Sequence, residues 1–158
     1  MNFVIHKFIG LPPHLLPKEL TKRFSISEKI RLALRSLRTY NVYYIIDDGK
    51  AIGYCFIKKN YLNKYSFMDR KDVIINPYLV DEAYRGQHLG EKMIQYAMDD
   101  MCSQYSTMWA VIEKDNIASI KTVEKLGFSF KGYAKSKCFA WKLCNEQTNL
   151  VVYNIKSK

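Results

Sequence analysis

Long hydrophobic runs are missing from this chain. The longest, such as Val42 to Ile46, fall far short of the roughly 20 apolar residues that cross a bilayer, so no membrane role is expected. Metal-binding patterns are missing too. Cys55, Cys102, Cys138 and Cys144 form no C-x-x-C pair, and His6, His14 and His88 are scattered. A structural metal site needs clustered ligands at regular spacing, so no metal is expected, and the cysteines read as buried free thiols in a reducing compartment. The opening "MNFVIHKFIGLPPHLLPKEL" is interrupted by His6, Lys7 and Pro12-Pro13 and is followed by no small-residue cleavage site. It does not read as a signal peptide, and a cytoplasmic setting is expected. Acidic residues are outnumbered, 15 Asp and Glu against 25 Lys and Arg, for a net charge of +10. Such a chain attracts nucleic acid, anionic lipid or a phosphorylated small ligand, and sign alone does not choose among them.

What is present suits one folded domain over residues 1–158. A 48% hydrophobic and 14% aromatic content excludes disorder and supplies a core. "FSISEKIRLALRSLRTY" predicts a helix. Ser25 and Glu28 form a capping box, Ile26, Ile30, Leu34 and Leu37 recur at helical spacing, and Arg31, Arg35 and Arg38 line another face that reads as solvated. The period then changes to that of a hairpin, "VYYIID" and "AIGYCFIKK" around Asp48-Gly49. After a polar, aromatic-rich loop over residues 60–72, "VIINPYLV" reads as a strand in which Pro77 predicts a bulge, an edge or a splayed gap.

From Leu89 the period is helical again, with Leu89, Met93, Ile94, Ala97, Met98 and Met101 on one apolar face. "TMWAVIE" is a strand. "NIASIKTVEKLG" is a helix with Asn116 as N-cap and Gly127 just past its end, and Phe128 is placed to pack back on Val123. "FSFKGYAKSKCFAWKLC" and "NLVVYNIK" supply the last strands. The sum is an α+β or α/β domain, rich in strand, with two helices crossing between strands in its second half.

One turn carries chemistry. "YRGQHLG", residues 84–90, lies between a strand and a helix. A helix start offers unpaired N–H groups and partial positive charge, glycine lets a phosphate approach the backbone, and an arginine adds a cationic fork. The spacing matches neither the Walker loop nor the dinucleotide fingerprint, and a tight turn that merely needs glycine would look the same.

The second half adds to this. The pair "YLVDEAYRGQHLGEKMI" and "NIASIKTVEKLGF" resembles, in order, the two core motifs of the GNAT N-acetyltransferases; the similarity covers residues 42–136 well and the ends poorly. The resemblance implies an α/β-type GNAT fold: a central mixed, mostly antiparallel β-sheet, splayed at the cofactor slot and flanked by helices. It implies acetyl-CoA as cosubstrate, with Arg85, Gly86, Gln87, His88, Leu89 and Gly90 around its pyrophosphate. Leu79 and Val80 would pair with pantetheine like an added strand, and Asn116 and Ser119 would face the same arm. The implied reaction is direct acetyl transfer, in a ternary complex, to a primary amine of a small molecule, a protein N-terminus or a lysine.

Two positions depart from the family. His88 stands where the family has its middle glycine. It would fit with a negative φ, either donating to the cofactor or, as favoured here, packing outward. Val123 stands where many members have a tyrosine that protonates the leaving thiolate. The acceptor ammonium must lose a proton, and Glu113, at the end of "TMWAVIE", is the candidate base, tuned upward if aromatic neighbours bury it. A solvated strand-end carboxylate is the alternative, and Tyr78 and Tyr133 are lesser candidates. Two rival readings remain: a non-catalytic acyl-CoA-binding module, and a basic protein that binds nucleic acid without sequence specificity. A homodimer is compatible with the sequence.

Overall fold

The computed structural model describes residues 3–9, 41–60, 64–137 and 140–157. The helix expected at residues 25–40, with Arg31, Arg35 and Arg38, lies outside them, as does Cys138. The chain divides into two compact units, Met1–Ile57 with Pro77–Ala97, and Lys58–Asn76 with Met98–Lys158.

The first unit holds β1 (Val4–Ile9), β2 (Asn41–Asp47), β3 (Lys50–Lys59, to Ile57) and the second half of β4 (Val73–Val80), followed by most of helix α1 (Leu89–Met101). β1–β2 and β2–β3 are antiparallel. Asp47 faces Lys50, so Asp48-Gly49 is a two-residue turn, and both residues have positive φ, 46° and 70°. That is the backbone of the tight hairpin turn that matches strand twist. Val42, Tyr44, Ala51, Tyr54 and Phe56 form the buried cluster, with Ile46 and Leu79 against it. Burial pushes the Tyr54 phenol up to about 12. Leu89, Met93, Ile94, Ala97, Met98 and Met101 of α1 are all buried, as the helical spacing predicts.

The second unit holds the first half of β4, then β5 (Thr107–Glu113), α2 (Ile117–Lys125), β6 (Ser129–Lys137), β7 (Ala140–Cys144) and β8 (Leu150–Lys156). Its strands hydrogen-bond in the order β4-β5-β8-β6-β7. Only β4–β5 is parallel; β5–β8, β6–β8 and β6–β7 are antiparallel. The fold is thus α+β, with a mixed, mostly antiparallel sheet. The β4–β5 ladder is short, Val73, Ile74 and Ile75 against Met108, Trp109 and Ala110, and it ends two residues before Pro77, which has no N–H to extend a ladder. α2 closes as the sequence predicts. Gly127 has φ 88°, Gly127 N donates to Glu124 O (2.9 Å) and Phe128 N to Val123 O (3.0 Å), a Schellman ending. The thiols differ from expectation: Cys55 is buried, but Cys144 is half-buried and Cys102 exposed.

The second core is built around Met68, Ile74, Trp109, Ala134 and Val152. At its edge Asp72 is buried, 3% exposed. Its carboxylate accepts from Trp109 Nε1 and from Asp69 N, both at 2.9 Å. A buried donor stripped of its acceptor costs about 1–3 kcal/mol. Asp72→Ala should therefore lower unfolding free energy by about that amount, read as a reduced urea midpoint at unchanged slope.

Candidate active site

The site residues of the first unit stand on an irregularity in the β2–β3 hairpin. Ile45 pairs with Gly53 and Ile46 with Ala51, which leaves Ile52 as the extra residue of a bulge. A bulged residue is free to turn its polar groups out of the ladder. The Ile52 carbonyl accepts from Asp81 N at 2.8 Å and so holds the end of β4. Beside it, a Cβ on Gly53 would come within 3.0 Å of Leu79 O, so only glycine lets the Leu79–Val80 backbone lie this close.

From this anchor the chain winds once. Asp81 Oδ1 accepts from Ala83 N (3.1 Å) and caps a single 3-10 turn, Glu82–Tyr84. Tyr84 N donates to Asp81 O (3.0 Å), and the Tyr84 ring meets Phe3 edge-on at 6.3 Å. A hydrogen bond to Asp47 and, after it, burial hold the Tyr84 phenol above its ordinary range. Arg85 follows with its guanidinium turned back: Nε donates to Val80 O (3.4 Å), and Nη2 lies 3.4 Å from Glu82 Oε1.

Gly86 then takes φ 80° with open space where a Cβ would stand, and His88 takes φ 58°. The negative φ expected of His88 is not found. The histidine keeps the left-handed backbone that a glycine would hold there, at a conformational cost of about 1–2 kcal/mol; histidine is among the side chains enriched in this region. His88 is exposed, with Nδ1 3.2 Å from Glu91 Oε2. Its carbonyl accepts from Lys92 N (3.0 Å), starting α1, so the N–H groups of the first turn have no partner within the helix. A Cβ on Gly90 would meet Tyr78 and Val80 at 3.7 Å. Gly90 thus faces β4 at ordinary contact distance, and space alone does not demand a glycine there.

In the second unit Glu113, Asn116 and Ser119 come together. Glu113 ends β5, and its carbonyl accepts from Asn116 N (2.9 Å). Asn116 caps α2, its Oδ1 accepting from Ser119 N (3.1 Å). Glu113 is exposed, so the aromatic burial expected around it is not found. Val123 is fully buried and has no proton to give. Of the lesser candidates, Tyr78 packs by Gly90, and Tyr133 stands on β6 beside Phe130, ring centroids 5.4 Å apart. Among the described residues no group of three or more His, Cys, Asp or Glu could hold a metal. Sequence reasoning missed Ile52, Gly53, Asp81 and Tyr84, although a lone glycine inside a strand, "AIGYCF", signals a bulge or a close backbone approach.

The left-handed residue generates a stability order. His88→Gly should raise stability by about 1 kcal/mol and His88→Val should lower it by a similar amount, with His88 between them in thermal melts. An order with Val at the top would remove the strain assigned to this turn.

The acetyltransferase (GNAT) family model matches residues 13–128, well over half of the chain. No curated protein sequence matches it. Solved structures resemble it at low identity. An N-acetyltransferase from Staphylococcus aureus Mu50 aligns at 18% identity and TM-score 0.70, covering 100% of both chains. The ribosomal-protein-S18-alanine N-acetyltransferase of Escherichia coli aligns at 18% and 0.68, covering 99% of this chain and 94% of that one. The yncA protein of Salmonella typhimurium, solved with its cofactor acetyl-CoA, aligns at 22% and 0.61, covering 83% and 74%. At such identities the neighbours speak for the fold, and the family match, which runs through β4, the Arg85–Gly90 turn, β5 and α2, carries the assignment: the chain belongs to the GNAT acetyltransferase family.

Proposed function

We propose that this chain moves an acetyl group from acetyl-CoA to a primary amine of a small molecule, a protein N-terminus or a lysine, by direct attack in a ternary complex. The observation that carries the reading is the turn after β4. Gly86 and His88 both hold positive φ just before α1 begins, the arrangement that turns successive backbone N–H groups toward an anion. Arg85, Gly86, Gln87, His88, Leu89 and Gly90 are assigned to the pyrophosphate, with the α1 dipole behind them. The main chain of Leu79 and Val80 is assigned to pantetheine, and Asn116 and Ser119 to the same arm. Because the Asn116 oxygen is spent on its cap, its Nδ2 is the group left to reach outward. The family model runs through both compact units, which supports reading residues 1–158 as one acetyltransferase domain. A cytoplasmic setting suits the free thiols of Cys55, Cys102 and Cys144.

The thioester supplies the acetyl group; the chain's part is to hold it and to manage a proton. An ammonium has no lone pair, so the acceptor must first give up a proton. Glu113 is assigned to take it, directly or through one water. The amine nitrogen then bonds to the carbonyl carbon as the C–S bond breaks, and the second proton of that nitrogen passes to water or to the departing thiolate. N–H groups near Leu79 and Val80 are assigned to steady the developing oxyanion. No side chain is assigned to protonate the sulfur, because Val123 fills the usual tyrosine position. A thiol of ordinary acidity, pKa about 8.5, can depart without a full proton transfer. The buried Val123 also favours a second reading, an acyl-CoA-binding module without turnover. An amine panel assayed with acetyl-CoA on one sample separates the two, since cofactor binding with no turnover on any amine leaves only the second.

Two expectations test the assignments. Arg85→Ala should weaken acetyl-CoA binding by about 1.5–3 kcal/mol, the worth of a charged hydrogen bond. Glu82→Gln, which frees the Arg85 fork, should tighten it by about two- to five-fold. Calorimetry that finds Arg85→Ala at wild-type affinity sinks the cradle. Glu113→Gln should lower turnover by about 100-fold or more at nearly unchanged acetyl-CoA affinity. Turnover close to wild type would leave Glu113 an ordinary surface carboxylate.

A further inference from the structure

The face of the second unit that carries α2 ends in a patch outside the residues assigned above. A bulge builds it. Phe130 pairs with Tyr153 and Gly132 with Val152 across β6–β8, so Lys131 is extra. Gly132 takes φ 136°, and a Cβ there would meet Cys144 O at 3.0 Å. The extra residue reverses the alternation of β6. Phe130 and Tyr133, three apart, therefore stand on the same face, in edge-to-face contact at 5.4 Å, and Phe130 also meets Tyr153 at 5.6 Å. Tyr133 pairs with Cys144 and Lys135 with Lys142, which puts both lysines on that face.

Helix α2 adds its flank. Ile117, Lys121 and Glu124 lie four and three residues apart, a single stripe. The stripe is located by Glu124, whose Oε1 accepts from Tyr153 Oη at 2.9 Å. That bond, after burial, pushes the Tyr153 phenol up to about 12. The stripe's acid is thereby turned to the sheet, leaving Ile117 and Lys121 exposed. Two large apolar side chains stand open here, Ile117 at 53% and Phe130 at 49% exposure.

Charge makes the patch unusual. From Lys125 to Lys142 the chain carries Lys125, Lys131, Lys135, Lys137 and Lys142 and no acid. Lys135 and Lys142 are cross-strand partners, and like charges directly opposite destabilise a sheet. Glu146 reaches Lys135 at 3.5 Å, but 65% and 81% of the two side chains are exposed, so the pair relieves little. A repulsion kept beside two exposed apolar side chains calls for a ligand that brings both negative charge and apolar groups. Arginine, the preferred side chain for phosphate forks and base edges, is absent after Arg85, which argues against a nucleic acid, and the aliphatic Ile117 beside the Phe130 ring suits apolar side chains. We propose that Ile117, Lys121, Phe130, Tyr133, Lys135 and Lys142 form a docking surface for an acidic peptide segment of a protein partner, its carboxylates on the lysines and its apolar side chains on Ile117 and Phe130.

The test uses the full chain and two labelled probes of equal length, a peptide alternating glutamate with leucine and an oligouridylate, read by fluorescence anisotropy at low salt. The peptide should bind more tightly than the oligonucleotide. Lys135→Glu/Lys142→Glu should weaken peptide binding by about ten-fold, or 1.4 kcal/mol, and Phe130→Ala should weaken it measurably with the lysines intact. All these positions are exposed, and thermal melts would verify folding. Tighter binding of the oligonucleotide, undiminished peptide binding by the charge-reversed variant, or no peptide binding by the wild type would each overturn the proposal. None of these residues is assigned to acetyl transfer, so the result stands apart from that of the amine panel.

Discussion

The 2.8 Å hydrogen bond from Asp81 N to the Ile52 carbonyl is the fastening on which the first unit's site depends. It exists because β3 carries one residue more than β2 can pair. That excess turns a carbonyl out of the hairpin at the point where β4 ends, and the missing Cβ of Gly53 lets the Leu79 backbone come down beside it. Everything assigned to the cofactor in this unit is reached within ten residues of that bond. Asp81 caps the single turn that follows, Tyr84 ties it to Asp47, and α1 begins five residues later. The hairpin is thus a foundation whose defect is its useful part.

The second unit solves a similar problem at Lys131, where one extra residue again rephases a strand and a glycine again leaves room for a carbonyl that an added Cβ would meet at 3.0 Å. Bulges raise local twist and re-aim side chains at little cost to the rest of a ladder. Here one bulge supports a backbone and the other gathers side chains on a face. The two helices divide their work likewise. α1 is anchored by an apolar face buried along its whole length, whereas α2 is short and depends on its ends, the Asn116 cap and the Gly127 closure.

Much of this was legible in the sequence, because it is written in local chemistry. The Asp48-Gly49 turn, the buried face of α1, and both ends of α2 rest on residues whose preferences act within a few positions of themselves. The family resemblance located the Arg85–Gly90 turn and is matched by the family model. What could not be read depends on pairing between distant residues. The extra residue at Ile52 appears only when β2 is laid against β3, and the approach of Leu79 to Gly53 only when β4 lies alongside. His88 shows the limit most plainly. Side-chain preference argued for a negative φ, but the backbone around it imposed the glycine conformation. Glu113 would have been a tuned base had aromatic neighbours enclosed it, which depends on packing between distant residues, and it stands exposed at the end of its strand.

The outermost strand of the second unit has a consequence for self-association. Trp141 N donates to Lys64 O at 2.7 Å, and Trp141 O accepts from Ser66 N at 2.9 Å, so the segment before β4 occupies the free side of β7 at its aromatic residue. A bare sheet edge is a template on which another chain can be laid as one more strand. With its Trp141 groups already taken, and Lys142 next along the strand, β7 is a poor seed for such growth, and this margin guards the protein against fibrous aggregation without any residue set aside for the purpose.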